Sequence, residues 1–277
     1  MKTFVTGATG LLGPYVIEAF NDTDVVTTAR RGGDVQCDLT DLDATRQAIE
    51  ELQPDAVIHL AALTDVDQCE RDPGAAKRIN VDTAANLAAT MPVEAQLVYI
   101  STDQVYPGLG GPYRESDTAP VNVYGQSKLD GEQAALRHPN SVCLRTNLFG
   151  ASRTDGRGSL SDFMAGMLRE EKPVTFFEDI FFSPLHMRTL SGFIRKIVRN
   201  QLSGVFNLGC RGGASKSDFG FMVAEHLGLP TRTVTVGVST QMPDRAPRPS
   251  DMRFDVSRIE AVLGTEMPTL EEEVRKL

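Results

Sequence analysis

A tyrosine and a lysine four residues apart, Tyr124 and Lys128, follow a strand-like stretch that ends in Ser101-Thr102-Asp103. On a helix, residues at that spacing lie on one face and are neighbours in space. A free phenol has a pKa of about 10 and is a poor acid or base near neutrality, but a nearby ammonium group favours the phenolate and would lower that pKa. Although the Tyr-x-x-x-Lys spacing alone also occurs by chance on surface helices, we predict that Thr102, Tyr124 and Lys128 form a catalytic group.

The chain begins with a strand-like segment that breaks into a run of glycines. Residues 2–6 form a short apolar run with β-branched residues, typical of a strand buried on both faces. The next residues read Gly7-Ala8-Thr9-Gly10-Leu11-Leu12-Gly13, and Pro14 suits the first turn of a helix. The glycines would allow a tight turn, approach of a diphosphate and close packing of the helix, whose N-terminus favours an anion. A purely structural turn is the alternative, but this GxxGxxG spacing after a strand favours a dinucleotide site with contacts at Gly7, Thr9, Gly10, Leu11 and Leu12.

The end of the second predicted strand indicates which dinucleotide is bound. It reads Thr27-Thr28-Ala29-Arg30-Arg31, without the acidic residue that usually holds the ribose hydroxyls of NAD. Arginines suit the 2′-phosphate of NADP, so we predict that Arg30 and Arg31 bind NADPH, with NADH as a second cofactor and two solvated arginines as the alternative. Asp38 and Leu39 stand where an acid could meet the adenine amino group. Ala61 and Ala62 leave room for the cofactor, or are ordinary core alanines.

Strand and helix signals alternate through the first half of the chain. The predicted strands cover residues 2–6, 24–28, 34–37, 56–60, 96–101 and 141–145, and the predicted helices cover 11–20, 44–52, 73–90 and 124–137. Parallel neighbours need crossover connections, so this alternation predicts an α/β fold with a doubly wound, Rossmann-like parallel sheet.

The regular alternation of strand and helix signals ends after Gly150. Helices are predicted over 159–171 and 189–199 and a strand over 204–208, and four further segments, 217–227, 233–238, 256–263 and 270–277, are predicted to build a separate lobe. We expect residues 1–150 plus about 180–210 to form the dinucleotide-binding domain. Residues 151–179 plus 211–277 would form a small discontinuous α/β lobe that binds the substrate, with the site in the cleft between them.

The composition excludes several classes of protein. No apolar run approaches the ~20 residues of a membrane span, Met1 leads directly into the first strand so that we expect no signal peptide, and the net charge of −9 argues against a nucleic-acid partner. Cys37, Cys69, Cys143 and Cys210 show neither CxxC nor metal-ligand spacing, which favours buried reduced thiols and no metal site. We expect a cytoplasmic monomer or homodimer that acts on a small molecule, without a membrane partner.

Further motifs are spread along the chain. They are Asp38-Leu39-Thr40-Asp41, Pro54-Asp55-Ala56-Val57-Ile58-His59-Leu60-Ala61-Ala62, Thr64-Asp65-Val66-Asp67-Gln68-Cys69-Glu70, Tyr99-Ile100-Ser101-Thr102-Asp103, Pro112-Tyr113-Arg114-Glu115, Tyr124-Gly125-Gln126-Ser127-Lys128, Gly131-Glu132, Leu144-Arg145-Thr146 and, more weakly, Arg248-Pro249 before Asp255. By these motifs and the glycine turn, the chain resembles the dTDP-4-dehydrorhamnose reductase branch of the extended short-chain dehydrogenase/reductase superfamily over essentially its whole length.

The resemblance implies a reaction and a set of contacts. NADPH or NADH would deliver hydride to the C4 ketone of a nucleotide-linked deoxysugar, as in dTDP-rhamnose biosynthesis, with Thr102, Tyr124 and Lys128 as the catalytic group. Leu63 and Asn80 would join Tyr124 and Lys128 in contacting the cofactor. The implied substrate contacts are Thr64, Asp65, Asp103, Gln104 and Arg248. Arg248 is the first choice for the diphosphate, because the proline-rich segment around it is the best local supply of cations in an acidic chain and arginine matches phosphate oxygens in a bidentate fork.

Two departures from the family pattern fall where the sugar should lie. Gln104 replaces an aromatic residue after Ser-Thr-Asp, and Leu148 stands where a tryptophan often follows the Arg-Thr pair. Gln104 also removes the second acid that related 4,6-dehydratases use, which makes dehydration a poor fit. Two alternatives stay open: a sugar-nucleotide epimerase of the same superfamily, and a non-catalytic NADP-binding regulatory subunit like the partner of methionine adenosyltransferase.

Overall fold

The computed structural model describes residues 1–29, 33–239 and 245–277. The strands are β1 (Lys2–Thr6), β2 (Asp24–Ala29), β3 (Val35–Gln36), β4 (Ala56–His59), β5 (Gln96–Thr102), β6 (Ser141–Thr146), β7 (Leu148–Phe149), β8 (Val174–Phe177), β9 (Phe181–Phe182), β10 (Leu185–His186), β11 (Gly204–Asn207), β12 (Ala214–Ser215) and β13 (Val234–Gly237). The α-helices are α1 (Gly13–Ala19), α2 (Leu42–Leu52), α3 (Val66–Arg71), α4 (Pro73–Lys77), α5 (Thr83–Thr90), α6 (Val123–Ala135), α7 (Leu160–Arg169), α8 (Met187–Arg199), α9 (Lys216–Leu227), α10 (Ser257–Leu263) and α11 (Leu270–Val274).

A parallel sheet of seven strands carries the site, in the order β11-β6-β5-β4-β1-β2-β3. Every neighbouring pair is parallel. All residues of β4 and β6 are buried, because helices cover both faces of such a sheet. The seven strands predicted for this sheet are confirmed, each within one residue at either end.

The helix predicted over residues 73–90 is present as one continuous helical segment, but its middle turn is not α-helical. The chain there forms α4, a π-helical turn over Arg78–Asp82, and α5, and the separate helix α3 precedes them. At the π turn the buried Tyr99 hydroxyl of β5 donates to the Asn80 carbonyl at 3.0 Å. Because this partner comes from another element, the alanine-rich sequence of the segment does not indicate the change in helical geometry.

Short strands pair in the second half of the chain. β13 lies parallel to β8, β12 antiparallel to β9, and β10 parallel to β7. A continuous apolar core joins Val5 of β1 to Phe149, Phe176 and Phe219. The helices predicted over 159–171 and 189–199 are present with small shifts of their ends, and the four segments predicted for the lobe form α9, β13, α10 and α11. The strands β7, β8, β9, β10 and β12 were not predicted. The division into two domains stays a prediction.

No helix in the described ranges is long and apolar enough to span a bilayer. The four cysteines are buried and unpaired, which confirms their expected burial. Groups of three or more His, Cys, Asp or Glu side chains with a metal-binding arrangement were also not found among the residues that the structure describes.

Candidate active site

The glycine turn between β1 and α1 is shaped so that larger residues do not fit. Gly7 has a φ of +68°, and a Cβ there would lie 2.6 Å from the backbone nitrogen of Ala61. A Cβ on Gly13 would lie 2.0 Å from the carbonyl oxygen of Ala8. The turn therefore packs its bare backbone against the end of β4, and this is a cradle that fits the diphosphate of a dinucleotide.

A cavity of about 490 Å³ runs from this turn along the carboxyl ends of the strands. Most predicted site residues line it: Gly7, Thr9, Gly10, Leu11, Leu12, Asp38, Leu39, Ala61, Ala62, Thr64, Thr102, Asp103, Gln104, Tyr124 and Lys128. Leu63, Asn80, Asp65 and Arg248 are not among its lining residues. Arg30 and Arg31 lie outside the described residues. The cavity also meets residues that sequence reasoning missed, among them Ile79, Thr83, Asn147 and Arg157.

Thr102, Tyr124 and Lys128 meet at one end of the cavity. Thr102 is the last residue of β5, and the other two lie on consecutive turns of α6, whose N-cap Asn122 accepts a hydrogen bond from the Gly125 backbone nitrogen at 2.7 Å. Lys128 Nζ donates to the Ile100 carbonyl oxygen at 2.7 Å and lies 4.0 Å from the centroid of the Tyr99 ring. The predicted catalytic group is thus assembled by two neighbouring elements.

The expectation that Lys128 would lower the pKa of Tyr124 is wrong for this structure. Burial raises the pKa of the Tyr124 phenol above its ordinary value, and a hydrogen bond with Thr102 offsets only part of the shift. Burial likewise lowers the pKa of Lys128 to about 7. Desolvation penalises both charged forms and exceeds the attraction that residue spacing alone suggests. Tyr124 therefore keeps its proton throughout the neutral range.

Replacing Lys128 by methionine should change how stability depends on pH. The unfolded lysine keeps its proton up to about pH 10.5, whereas the folded one loses it near pH 7. Between these values the unfolded state binds more protons, so raising the pH stabilises the native wild type. The free energy of unfolding, measured with urea, should rise from pH 6 to pH 9 by about 2 kcal/mol more in the wild type than in Lys128→Met. Identical pH dependence of the two proteins would contradict the shifted pKa.

Asp103 follows Thr102 and is almost fully buried beside it. The Thr102 hydroxyl donates to Asp103 Oδ1 at 3.1 Å, and Asn147 Nδ2 donates to Asp103 Oδ2 at 2.6 Å. Burial raises the pKa of Asp103 to about 6, even though both hydrogen bonds lower it. Asn147 was missed, although its place directly after Leu144-Arg145-Thr146 put it at a strand end near the site. This carboxylate can accept a hydrogen bond from a polar ligand that enters the cavity.

Asn80 acts from behind the cavity wall. Its side chain is fully buried, accepts from the Leu63 backbone nitrogen at 2.8 Å and donates to the Leu63 carbonyl oxygen at 3.0 Å and to Ser127 Oγ at 2.9 Å. Asn80 thereby fixes the loop after β4 against helix α6. The structure gives it a positioning contact with Leu63.

A buried relay of hydrogen bonds centred on His59 was not predicted from the sequence. Thr83 Oγ1 donates to the Ile79 carbonyl oxygen at 2.7 Å, so it accepts from His59 Nε2 at 3.0 Å. His59 Nδ1 then accepts from the Thr6 hydroxyl at 2.7 Å, and the Thr6 oxygen accepts from the Ala61 backbone nitrogen at 3.3 Å. Burial lowers the pKa of His59 to about 3, which keeps the ring neutral as this relay requires. The relay joins two walls of the cavity, at Ala61 and Ile79.

Asp65 and Arg248 serve the loops at the edge of the site. Asp65 caps α3 by accepting from the Gln68 backbone nitrogen at 2.8 Å. Arg248 forms a fork with Asp67, with contacts of 2.9 Å and 3.3 Å, and this partner lowers the pKa of Asp67 to about 2. The charge of Arg248 is thus already balanced within the chain. Its segment stays close to the cavity, because Asn122 donates both to Gln104 Oε1 and to the Pro247 carbonyl oxygen at 2.9 Å.

Known proteins resemble this chain over nearly all of its length. The family described as RmlD substrate binding domain matches residues 1–277. A protein described as the probable low-salt glycan biosynthesis reductase Agl14 of Haloferax volcanii is 31% identical, covering 100% of this chain and 97% of its own length. The dTDP-4-dehydrorhamnose reductase of Mycolicibacterium smegmatis is 34% identical over 90% of this chain and 76% of its own. Methionine adenosyltransferase 2 subunit beta of Danio rerio is 31% identical over 94% and 84%.

A solved structure shows the same arrangement of the backbone. The dTDP-4-dehydrorhamnose reductase of Bacillus anthracis, crystallised in complex with NADP, superposes with a TM-score of 0.89 at 27% identity, and the match covers 99% of this chain and 97% of that one. The likeness therefore extends over the parallel sheet and the elements that follow it.

Proposed function

We propose that this chain, which belongs to the RmlD substrate binding domain family, is an NADPH-dependent reductase of the C4 ketone of a nucleotide-linked deoxysugar. The observation that carries the proposal is the meeting of Thr102, Tyr124 and Lys128 in the same cavity as the glycine turn. Relatives that match 90% or more of this chain and include dTDP-4-dehydrorhamnose reductases support the same reaction.

The residues present fit a dinucleotide. The turn from Gly7 to Gly13 leaves no room for a Cβ at two positions and would hold the diphosphate, while Asp38 and Leu39 line the part of the cavity toward the adenine end. Tyr124 and Lys128 would border the nicotinamide and its ribose. When bound, NADPH supplies the hydride that adds to the carbonyl carbon.

The hydroxyls of Thr102 and Tyr124 polarise the substrate carbonyl, and Tyr124 gives its proton to the oxygen as negative charge develops there. The raised pKa of Tyr124 suits reduction of the carbonyl, because reduction needs the protonated phenol. Thr102 now donates to Asp103, and rotation about its Cβ–Oγ1 bond redirects the proton to the substrate. Lys128, anchored on the Ile100 carbonyl, would donate a hydrogen bond to the nicotinamide ribose.

A turnover screen tests the proposal. NADPH oxidation is followed by absorbance with a panel of 4-keto sugar nucleotides, including dTDP-4-dehydrorhamnose, and steady turnover with at least one of them is expected. A methionine adenosyltransferase beta subunit also matches 94% of this chain, so a regulatory subunit is the second candidate. Absence of turnover with every compound, together with co-purification with a synthetase, would favour that candidate. Conversion of a nucleotide sugar to its 4-epimer without net NADPH consumption would favour an epimerase.

Cofactor choice gives a separate prediction at Arg30 and Arg31. Changing both to alanine should weaken NADPH binding tens-fold more than NADH binding, because each charge-assisted hydrogen bond to the 2′-phosphate contributes about 1.5–3 kcal/mol. Titration of both cofactors into the variant measures the two losses. A double alanine variant at Arg188 and Arg199, whose side chains are 63% and 57% exposed, removes the same charge and should change neither affinity. Equal losses for NADPH and NADH at Arg30 and Arg31 would rule out the specific contact.

The proposal also includes the organisation of the protein. We propose the two-domain division predicted from the sequence, a cytoplasmic location, and a monomeric or homodimeric state. Size-exclusion chromatography with light scattering tests the oligomeric state.

A further inference from the structure

We infer that Lys216 is a substrate-binding residue that holds the anionic diphosphate of the nucleotide sugar, a role that rests on the proposed function. Lys216 is the first residue of α9 and lies outside every motif that the sequence singled out. Three observations support this role: where the backbone places Lys216, which charges surround it, and which partners those charges already have.

The backbone fixes Lys216 next to the segment that carries Arg245 and Arg248. In the β12–β9 pair, Ser215 lies opposite Phe181, and the Lys216 backbone nitrogen donates to the Ile180 carbonyl oxygen at 2.8 Å. On the other side of β9, the Phe181 backbone nitrogen donates to the Ser250 carbonyl oxygen at 2.7 Å. The start of α9 and the arginine segment are thus held on either side of one short strand.

The charges around Lys216 converge from several elements. Its pKa responds to Asp103 and Asp179, which raise it, and to Arg248 and Arg245, which lower it, while burial lowers it most. Lys216 in turn lowers the pKa of Asp103, so the two charges lie close enough to interact. Lys216 thus lies among charges of both signs, beside the segment that carries Arg245 and Arg248.

The neighbouring acids are already engaged by other donors. Asp179 accepts from the Ser239 backbone nitrogen and hydroxyl at 2.7–2.9 Å, and Asp103 accepts from Thr102 and Asn147. Within the described part of the chain, Lys216 Nζ forms no hydrogen bond and no ion pair. A partly buried ammonium group without a partner is costly, and an anionic ligand would supply the missing contact.

The position suits a diphosphate better than the reacting carbonyl. In a nucleotide sugar the diphosphate is attached to C1, across the sugar ring from C4, so it must lie about one ring away from Thr102 and Tyr124. Lys216 lowers the pKa of Asp103, which adjoins Thr102, but among the described residues it forms no ion pair with that carboxylate. Arg248, the residue chosen from the sequence, is already paired with Asp67, which leaves Lys216 as the better donor.

The test compares Lys216→Met with Lys216→Arg. For the sugar nucleotide that the wild type reduces, KM should rise about 10- to 100-fold in Lys216→Met, the range of one charge-assisted hydrogen bond, and should largely recover in Lys216→Arg. The inhibition constant of inorganic pyrophosphate should rise in parallel, whereas kcat and NADPH affinity should change little. Lys172→Met, at a side chain that is 61% exposed, removes the same charge and should leave all four quantities unchanged.

Calorimetric titration of dTDP into the protein saturated with NADP⁺ separates this inference from the proposed function. Weaker dTDP binding by Lys216→Met than by the wild type supports the inference even if no 4-keto sugar is reduced. Equal dTDP binding by the two proteins, or no dTDP binding by the wild type, would overturn it, even if turnover is found. A pure charge-balancing role at Asp103 would instead shift the pH profile of kcat and leave dTDP binding unchanged.

Discussion

Replacing Tyr124 by phenylalanine is expected to lower kcat by about 10²-fold or more, the scale of general acid catalysis. The substitution removes only the hydroxyl of a side chain that is 8% exposed, so the packing of the ring on α6 is kept. Since burial raises the pKa of this phenol, it is the protonated form that is lost, and the reduction loses its proton donor. Single-turnover measurements with saturating NADPH report the chemical step directly.

The matched control is Tyr15→Phe. Tyr15 is equally buried, and its hydroxyl donates to the Ala151 carbonyl oxygen at 2.7 Å, outside the catalytic group. We expect this control to keep kcat within a few-fold of the wild type, and both variants to bind NADPH with nearly unchanged affinity. Wild-type turnover by Tyr124→Phe would show that Tyr124 has no catalytic role and would refute the mechanism.

The sheet could be predicted from the sequence because its strands are local signals. The buried parallel strand β4, for example, begins with the apolar run Ala56-Val57-Ile58 and lies between the helices α2 and α3. β9 and β12, in contrast, have two residues each and are held by partners distant in the chain. Two residues carry no periodicity, so such strands are set by tertiary contacts alone.

The sequence predicted which residues form the site better than it predicted their pKa values and ion pairs. Residue spacing correctly placed Thr102, Tyr124 and Lys128 together, since the carboxyl end of a strand and the next helix must meet there. Spacing contains no information on burial, however, and burial determines the pKa of both Tyr124 and Lys128. Likewise, the arginine of an Arg-Pro pair could be recognised, but its pairing with Asp67, 181 positions away, could not.

A buried ion pair behind the site gives the largest expected change in stability. Glu132, on the same helix as Tyr124 and Lys128, pairs with Arg145 of β6, and their side chains are only 2% and 4% exposed. Arg145 Nε and one terminal nitrogen donate to the Glu132 carboxylate at 2.9 Å and 2.7 Å. The same carboxylate accepts from Ser101, next to Thr102. The pair therefore joins the catalytic helix to the two strands that border the site.

Glu132→Gln should lower the free energy of unfolding by about 3–5 kcal/mol, because it leaves the Arg145 guanidinium buried without a counter-charge. Urea denaturation at pH 7 measures the loss. Glu170→Gln is the matched control, since Glu170 pairs with Lys172 and both side chains are about 60% exposed; at such a site the cost should stay below about 1 kcal/mol.

The two variants also separate stability from catalysis. If the ion pair positions α6, Glu132→Gln should reduce kcat even at temperatures where the variant is fully folded, because the Tyr124 hydroxyl is held by that helix and proton transfer depends on sub-ångström placement. Intact kcat in folded Glu132→Gln would confine the pair to a structural role. If Glu132→Gln lowers the free energy of unfolding no more than Glu170→Gln does, water or another acid must reach Arg145. Apolar packing alone would then hold β6 and α6 together.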